Sequence, residues 1–133
     1  MPASGRYLLD TNILIALLAA EPRVVERVRS AQAVHVPVIA LGELYYGARH
    51  SARVEENLHR VATLAETAAV LRCDLTTAAH YGEVKAALRA KGTPIPENDL
   101  WIAALAKQHG LTVASRDNHF DAVPGLEIER WDD

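Results

Sequence analysis

One cysteine, one methionine and one phenylalanine are all that 133 residues supply of those types, and aromatics make up only 5% of the chain. The lone thiol, Cys73, excludes an internal disulfide and points to a reducing compartment, the cytoplasm. No apolar run approaches the roughly 20 residues of a membrane-spanning helix. Ile13 to Ala20 has the length of a signal-peptide core, but Asp10 precedes it and Arg6 is the only basic residue ahead of it, so it reads as a core helix. Positive charge is not in excess either: 14 Lys and Arg against 17 Asp and Glu leave a net charge of −3. Taken alone, that argues against a protein that coats nucleic acid by bulk electrostatics. Absent too are a GxGxxG fingerprint, a Walker loop and a GxSxG elbow. The six histidines are scattered without zinc-ligand spacing, His119 being the one to watch because it stands two residues beyond Asp117.

What remains is a chain half hydrophobic, with core enough for one domain spanning residues 1–133. Strands are expected at Arg6 to Leu9, Val34 to Val36, Ala69 to Cys73, Leu111 to Ala114 and Leu126 to Glu129. Helices are expected at Thr11 to Ala20 and from Pro22 onward. A third runs from Pro37 to about His50, and a fourth, capped by Ser51, from Arg53 to Glu66. The fifth, capped by Thr76 or Thr77, ends at Gly92, and the last runs through Trp101 to His109 before Gly110. Strands alternating with helices predict an α/β fold with a mostly parallel five-stranded sheet, and the doubly wound order 3-2-1-4-5 is the natural guess. Cys73 would then be a core residue of the third strand.

Such a sheet places ligands beyond the carboxyl ends of its strands, where the strand order reverses. Asp10 ends the first strand in "LLDTN", and Asp117 follows the fourth in "ASRDNHF". Glu43 is the only acid in the helix "VIALGELYYG", and Asp99 opens the helix "PENDLWIAALA". Each has a plain structural role open to it. Asp10 can cap the helix after it, Asp99 can complement a helix dipole, Asp117 can make an Asx turn and Glu43 can face solvent. Together, four carboxylates in one crevice repel one another unless a cation joins them, and oxygen-only donors suit Mg²⁺ or Mn²⁺.

The words "YLLDTNILIAL", "IALGELYYGA", "GTPIPENDLWIAALA" and "LTVASRDNHFDAVPGLEI" occur in an order that resembles the PIN-domain ribonucleases, and within them the VapC toxins of toxin–antitoxin pairs. The resemblance covers nearly the whole chain and is weakest from Ser51 to Arg72. It implies metal-dependent hydrolysis of an RNA phosphodiester, leaving 3′-hydroxyl and 5′-phosphate ends. Asp10, Glu43, Asp99 and Asp117 become the acidic site, holding one or two Mg²⁺ or Mn²⁺ ions. Asn12 and Ser115 become polar supports. It also implies a cognate VapB-type antitoxin seated along the early helices and a homodimer.

RNA would still have to be held by local cations. Arg116, beside Asp117, is the leading candidate for a phosphate contact, ahead of Arg49, Arg53, Arg89 and Lys91, and Tyr81 is a candidate to stack on a base. A PIN-like scaffold without catalysis would betray itself by a missing acid. A phosphotransfer domain, whether haloacid-dehalogenase-like phosphatase or receiver, would want an acid where Asn12 stands or a lysine after Lys107.

Overall fold

Arg6–Leu9 forms the first strand (β1), and it is buried on both sides, as the centre of a parallel sheet must be. A computed structural model describes residues 5–132. From β1 the chain runs through α1 (Thr11–Leu18) and α2 (Pro22–Ser30) to β2 (Ala33–Pro37), then α3 (Val38–Arg49) and α4 (Val54–Thr67) to β3 (Val70–Leu71). α5 (Leu75–Lys91) and α6 (Glu97–His109) lead to β4 (Thr112–Ser115), and a 3₁₀ turn at His119–Ala122 precedes β5 (Ile128–Arg130). All strand pairs are parallel, in the order β3-β2-β1-β4-β5, as the alternating pattern predicted.

The two-residue period of β1 sorts its side chains between two cores. Tyr7 and Leu9 join Ile13, Leu14, Leu44 and Trp131 on one face, while Leu8 joins Val113, Leu88, Leu105 and Phe120 on the other. α6 lies against that second face with Ile102, Ala103, Ala104, Leu105 and Ala106 all buried, and its alanines allow close approach to the strands. Its termini follow the charge rule for helix dipoles, with Glu97 and Asp99 in the first turn and Lys107 and His109 in the last. Gly110 closes it in the left-handed conformation at φ 66°.

Register decides what lies at the strand ends. Leu9 pairs with Ala114, and the ladder continues one step, with Asp10 N–H donating to the Ala114 carbonyl at 2.9 Å. Asp10 is thereby set beside Ser115, on the edge that faces the switch point.

Several local expectations need correction. β3 stops at Leu71, and Cys73 is exposed rather than a core strand residue. The chain leaves the sheet there because Asp74 makes a reciprocal capping box with Thr77, which starts α5 at Leu75 and makes Asp74, not Thr76 or Thr77, the cap. Ser51 does not cap α4 either. Its hydroxyl donates to the Ala48 carbonyl at the end of α3, and the helix opens after Arg53 without a side-chain cap. β4 and β5 each sit a residue or two later than the apolar pattern suggested.

Candidate active site

Asp10 ends β1 and begins α1, and its carboxylate serves both. Oδ1 accepts the Thr11 N–H at 2.8 Å as the helix cap, and Oδ2 accepts the Ser115 hydroxyl at 2.7 Å. The residue is only 3% exposed. Burial pushes its pKa up to about 6; the hydrogen bonds from Ser115 and Thr11 oppose that rise, and the charges of Asp99 and Asp117 add to it. The capping role and a role in the site are therefore not alternatives.

The other three acids converge on the same cleft, whose volume is about 470 Å³ and whose walls include Asp10, Glu43, Asp99 and Asp117. α3 packs beside α1 and α6, which carries Glu43 to the wall, where the Thr11 hydroxyl donates to Oε1 at 2.6 Å. Asp99 arrives on the first turn of α6, and burial raises its pKa against the opposing hydrogen bond from His119. Asp117 follows β4 and accepts the His119 N–H at 3.0 Å, the local Asx geometry open to it from the sequence.

Asn12 and Ser115 are the joints between these segments. Asn12 donates from Nδ2 to Asp117 Oδ2 at 3.3 Å and accepts the backbone N–H of Arg116 at 3.2 Å. Ser115, fully buried, donates to Asp10 while its oxygen accepts the Asp117 N–H at 3.2 Å. Thr11, which sequence reasoning passed over, holds Glu43. Its signal was present, since it is the middle letter of "DTN", but nothing in a sequence says that α3 will pass within its reach.

Arg116, expected at a phosphate, already has partners within the chain. Its guanidinium makes a two-pronged pair with Glu21, at 2.6 and 3.4 Å, and its Nε donates to the Trp131 carbonyl at 3.1 Å. It is bound to the α1–α2 connection and the chain end and does not line the acidic cleft; its backbone N–H is what serves the site. Tyr81 is likewise engaged, stacked on Trp101 with ring centroids 4.1 Å apart and its hydroxyl bonded to Glu97. Of the other basic candidates, Arg53 pairs with Glu56 and Lys91 donates to the Ala122 carbonyl. The Cys73 thiol has its pKa raised by partial burial and by Asp74, the wrong direction for a nucleophile.

The donor set fits a divalent cation. Among the described residues, ligand atoms of Asp99, Asp117 and His119 lie within 4.8 Å of one another, and Asp10 and Glu43 add carboxylates to the same walls. Burial and the like charges of Asp99 and Asp117 both raise the Asp10 carboxyl, and a cation bound among these acids would oppose that rise.

The PIN-domain family model matches residues 7–126. The chain belongs to the PIN-domain family. Within it, this PIN domain is 36% identical to Ribonuclease VapC2 of Haemophilus influenzae, a match covering 95% of the chain and 98% of that protein. It is 35% identical to the tRNA(fMet)-specific endonuclease VapC of Salmonella typhimurium with the same coverage. Solved structures agree. The fold superposes on the VapBC complex of Salmonella typhimurium bound to DNA with a TM-score of 0.87 at 35% identity, over 95% of this chain and 98% of that one. It superposes on VapBC-1 of nontypeable Haemophilus influenzae with a TM-score of 0.85 at 30% identity, over 96% and 98%.

Proposed function

We propose that this PIN domain is a Mg²⁺- or Mn²⁺-dependent endoribonuclease, the toxin of a VapBC-type pair acting on cellular RNA in the cytoplasm. The carrying observation is that Asp10, Glu43, Asp99 and Asp117, from four separate segments, line one cleft at the carboxyl ends of β1 and β4. A scaffold that had lost catalysis has no reason to keep all four. Asp10, Asp99 and Asp117 would hold the cation, and Glu43 completes the acidic set. Bound there, a divalent ion supplies polarisation of the phosphoryl oxygen and a lowered pKa for the attacking water.

The chain's own residues do the rest. Ser115 and Thr11 N–H fix both oxygens of Asp10, so the carboxylate does not rotate away from the cleft. Asn12 ties the Asp117 loop to α1, holding together acids that would otherwise repel. Thr11 aims Glu43. The net charge leaves phosphate recognition to cations in the cleft more than to a basic surface.

The antitoxin has a receiving surface. An apolar groove of about 320 Å³ between α1, α3 and α4 is lined by Ile15, Leu18, Leu44, Gly47, Ala48 and Val61. Ile15 and Glu43 border both this groove and the acidic cleft, so a helix lying in the groove can extend a basic side chain to the acids. A homodimer belongs to the same reading and is checked by light scattering of the purified chain.

Two of the relatives are tRNA(fMet)-specific endonucleases, which makes tRNA(fMet) the first substrate to try. Purified, antitoxin-free protein is incubated with tRNA(fMet) and with total RNA, with Mg²⁺ or Mn²⁺ or with chelator, beside Asp99→Asn. Discrete metal-dependent fragments, absent in the variant, are expected. Intact RNA under every metal condition with folded protein would overturn the nuclease reading.

A further inference from the structure

We propose that His119 is a nitrogen ligand in the cation site, and that it tilts this site toward Mn²⁺ over Mg²⁺. The inference rests on the reading of the acids as a cation site and goes beyond it, because an all-carboxylate set gives no such preference.

The geometry begins with the backbone. The His119 N–H donates to Asp117 Oδ1 at 3.0 Å, folding the chain back on itself just after β4. The 3₁₀ turn then starts at His119, anchored by the fully buried Phe120. The result is an imidazole returned over the acids. Its Nδ1 lies 2.7 Å from Asp99 Oδ2 and 3.6 Å from Asp117 Oδ2. The ring is 45% exposed, and its Nε2 makes no hydrogen bond among the described residues. The two acids are its ring's contacts among the described residues.

The spacing suits shared ligation. Donors on opposite sides of one small divalent ion stand on the order of 4 Å apart. The ligand atoms of Asp99, Asp117 and His119 all fall within 4.8 Å of one another, and the 2.7 Å contact from Nδ1 to Asp99 is a hydrogen bond whose proton a shared cation would replace. A plainer role is that of counter-ion, the imidazolium standing in for a cation. The two roles part when the cation arrives: a counter-ion is repelled from the cleft, whereas a ligand stays in contact with the metal.

The consequence is one of donor chemistry. Mg²⁺ is hard and takes oxygen donors almost exclusively, whereas first-row transition ions gain from an imidazole nitrogen. One nitrogen among carboxylates leaves the site usable by Mg²⁺ but strengthens Mn²⁺ selectively.

The test needs no RNA and no turnover. Protein labelled with ¹⁵N-histidine is loaded with Mn²⁺ and examined by electron spin-echo envelope modulation, beside His119→Gln and Asp99→Asn. Binding of Mn²⁺, and of Mg²⁺ in competition, is titrated by the free-ion EPR signal, with Tm confirming that each variant folds. A ¹⁵N modulation in the wild type that vanishes in His119→Gln is expected. With it, Mn²⁺ affinity should fall by about tenfold or more while Mg²⁺ affinity changes far less. Bound Mn²⁺ without ¹⁵N modulation, or an unaltered Mn²⁺-to-Mg²⁺ ratio in His119→Gln, overturns the ligand role and leaves the acidic site standing. Failure of the wild type to bind Mn²⁺ at all overturns both, and that outcome is recognisable because Asp99→Asn would then match the wild type.

Discussion

The hydroxyl of Ser115 donates to Oδ2 of Asp10 at 2.7 Å across the junction of β1 and β4, and both residues are buried. One buried hydrogen bond thus couples the two central strands to the acid at the floor of the cleft. The acid is costly where it is, and the cost is measurable.

In the metal-free protein, stability should fall as pH rises from about 4 to above 6. Burial lifts the Asp10 carboxyl from its ordinary 3.8 to about 6. Below the unfolded value both states are protonated and nothing is lost. Between the two values the folded state holds the extra proton, and above the folded value the whole difference, about 3 kcal/mol, is a penalty on the fold. Asp99, also raised by burial, acts with the same sign. Asp10→Asn should therefore unfold at higher denaturant at pH 7.5, by about 1–2 kcal/mol, since the amide keeps one of the two oxygens. Below pH 4, where the penalty is gone, the order should reverse, with Asp10→Asn the less stable by that lost hydrogen bond. Urea titrations at four pH values with chelator decide it; an advantage of Asp10→Asn that persists at pH 4 would mean that burial of the charge is not the cause.

A divalent cation should remove that penalty. At about 100 times its Kd a bound ion adds roughly 2.7 kcal/mol, a Tm rise on the order of 10 °C for a chain of this size. The rise should be absent in Asp99→Asn and reversed by chelator in the wild type. Equal shifts in both proteins would place the ion elsewhere.

Ser115→Ala deletes the donor to Asp10 and the acceptor for the Asp117 N–H. We expect a loss of about 1–3 kcal/mol and an Asp10 carboxyl pushed further up, because the Ser115 hydroxyl is the larger of the two hydrogen bonds that hold it down. Ser115→Thr keeps the hydroxyl and should keep both properties. Carboxyl chemical shifts followed through a pH titration report the carboxyl directly, and an unmoved Asp10 in Ser115→Ala would contradict the assignment.

Much of this site was legible because parallel sheets obey few rules. Apolar runs ending in Asp10 and near Asp117 put both acids at strand ends, and the strand order made those ends neighbours. Helices that follow parallel strands bring later residues back to the same end, which made Glu43 and Asp99 candidates for the same crevice. What resisted reading was side-chain direction in the loops that follow strands. Arg116 and Asp117 are adjacent in sequence, yet one points to Glu21 and the other into the cleft. Cys73 was missed for a related reason: the capping box at Asp74 ends the strand two residues before apolar pattern alone would end it.

That divergence makes Arg116→Ala informative. Its guanidinium joins Glu21 and the Trp131 carbonyl, so its removal should lower Tm by loosening the α1–α2 connection from the chain end, with RNA affinity near that of the wild type. Fluorescence anisotropy with a non-cleaved RNA in Ca²⁺, beside a thermal melt, separates the two effects. A large loss of RNA affinity at unchanged Tm would instead put this side chain on a phosphate.

The groove allows the partner and the substrate to be uncoupled. A Cβ built on Gly47 meets no atom within 4 Å, yet Gly47 lines the apolar groove and lies outside the acidic cleft. Gly47→Leu should therefore fold, with its helix stabilised by about 0.5–1 kcal/mol from the better propensity of leucine. The new side chain occupies space that an incoming antitoxin helix would need. Antitoxin affinity should fall by about tenfold or more, equivalent to about 1.4 kcal/mol or more, while cleavage by free toxin stays at its wild-type rate. Binding isotherms with the cognate antitoxin and an RNA cleavage assay on the same preparation test both halves. Undiminished antitoxin binding would move the partner off this groove, and lost cleavage would show that the groove and the acidic cleft are not separable.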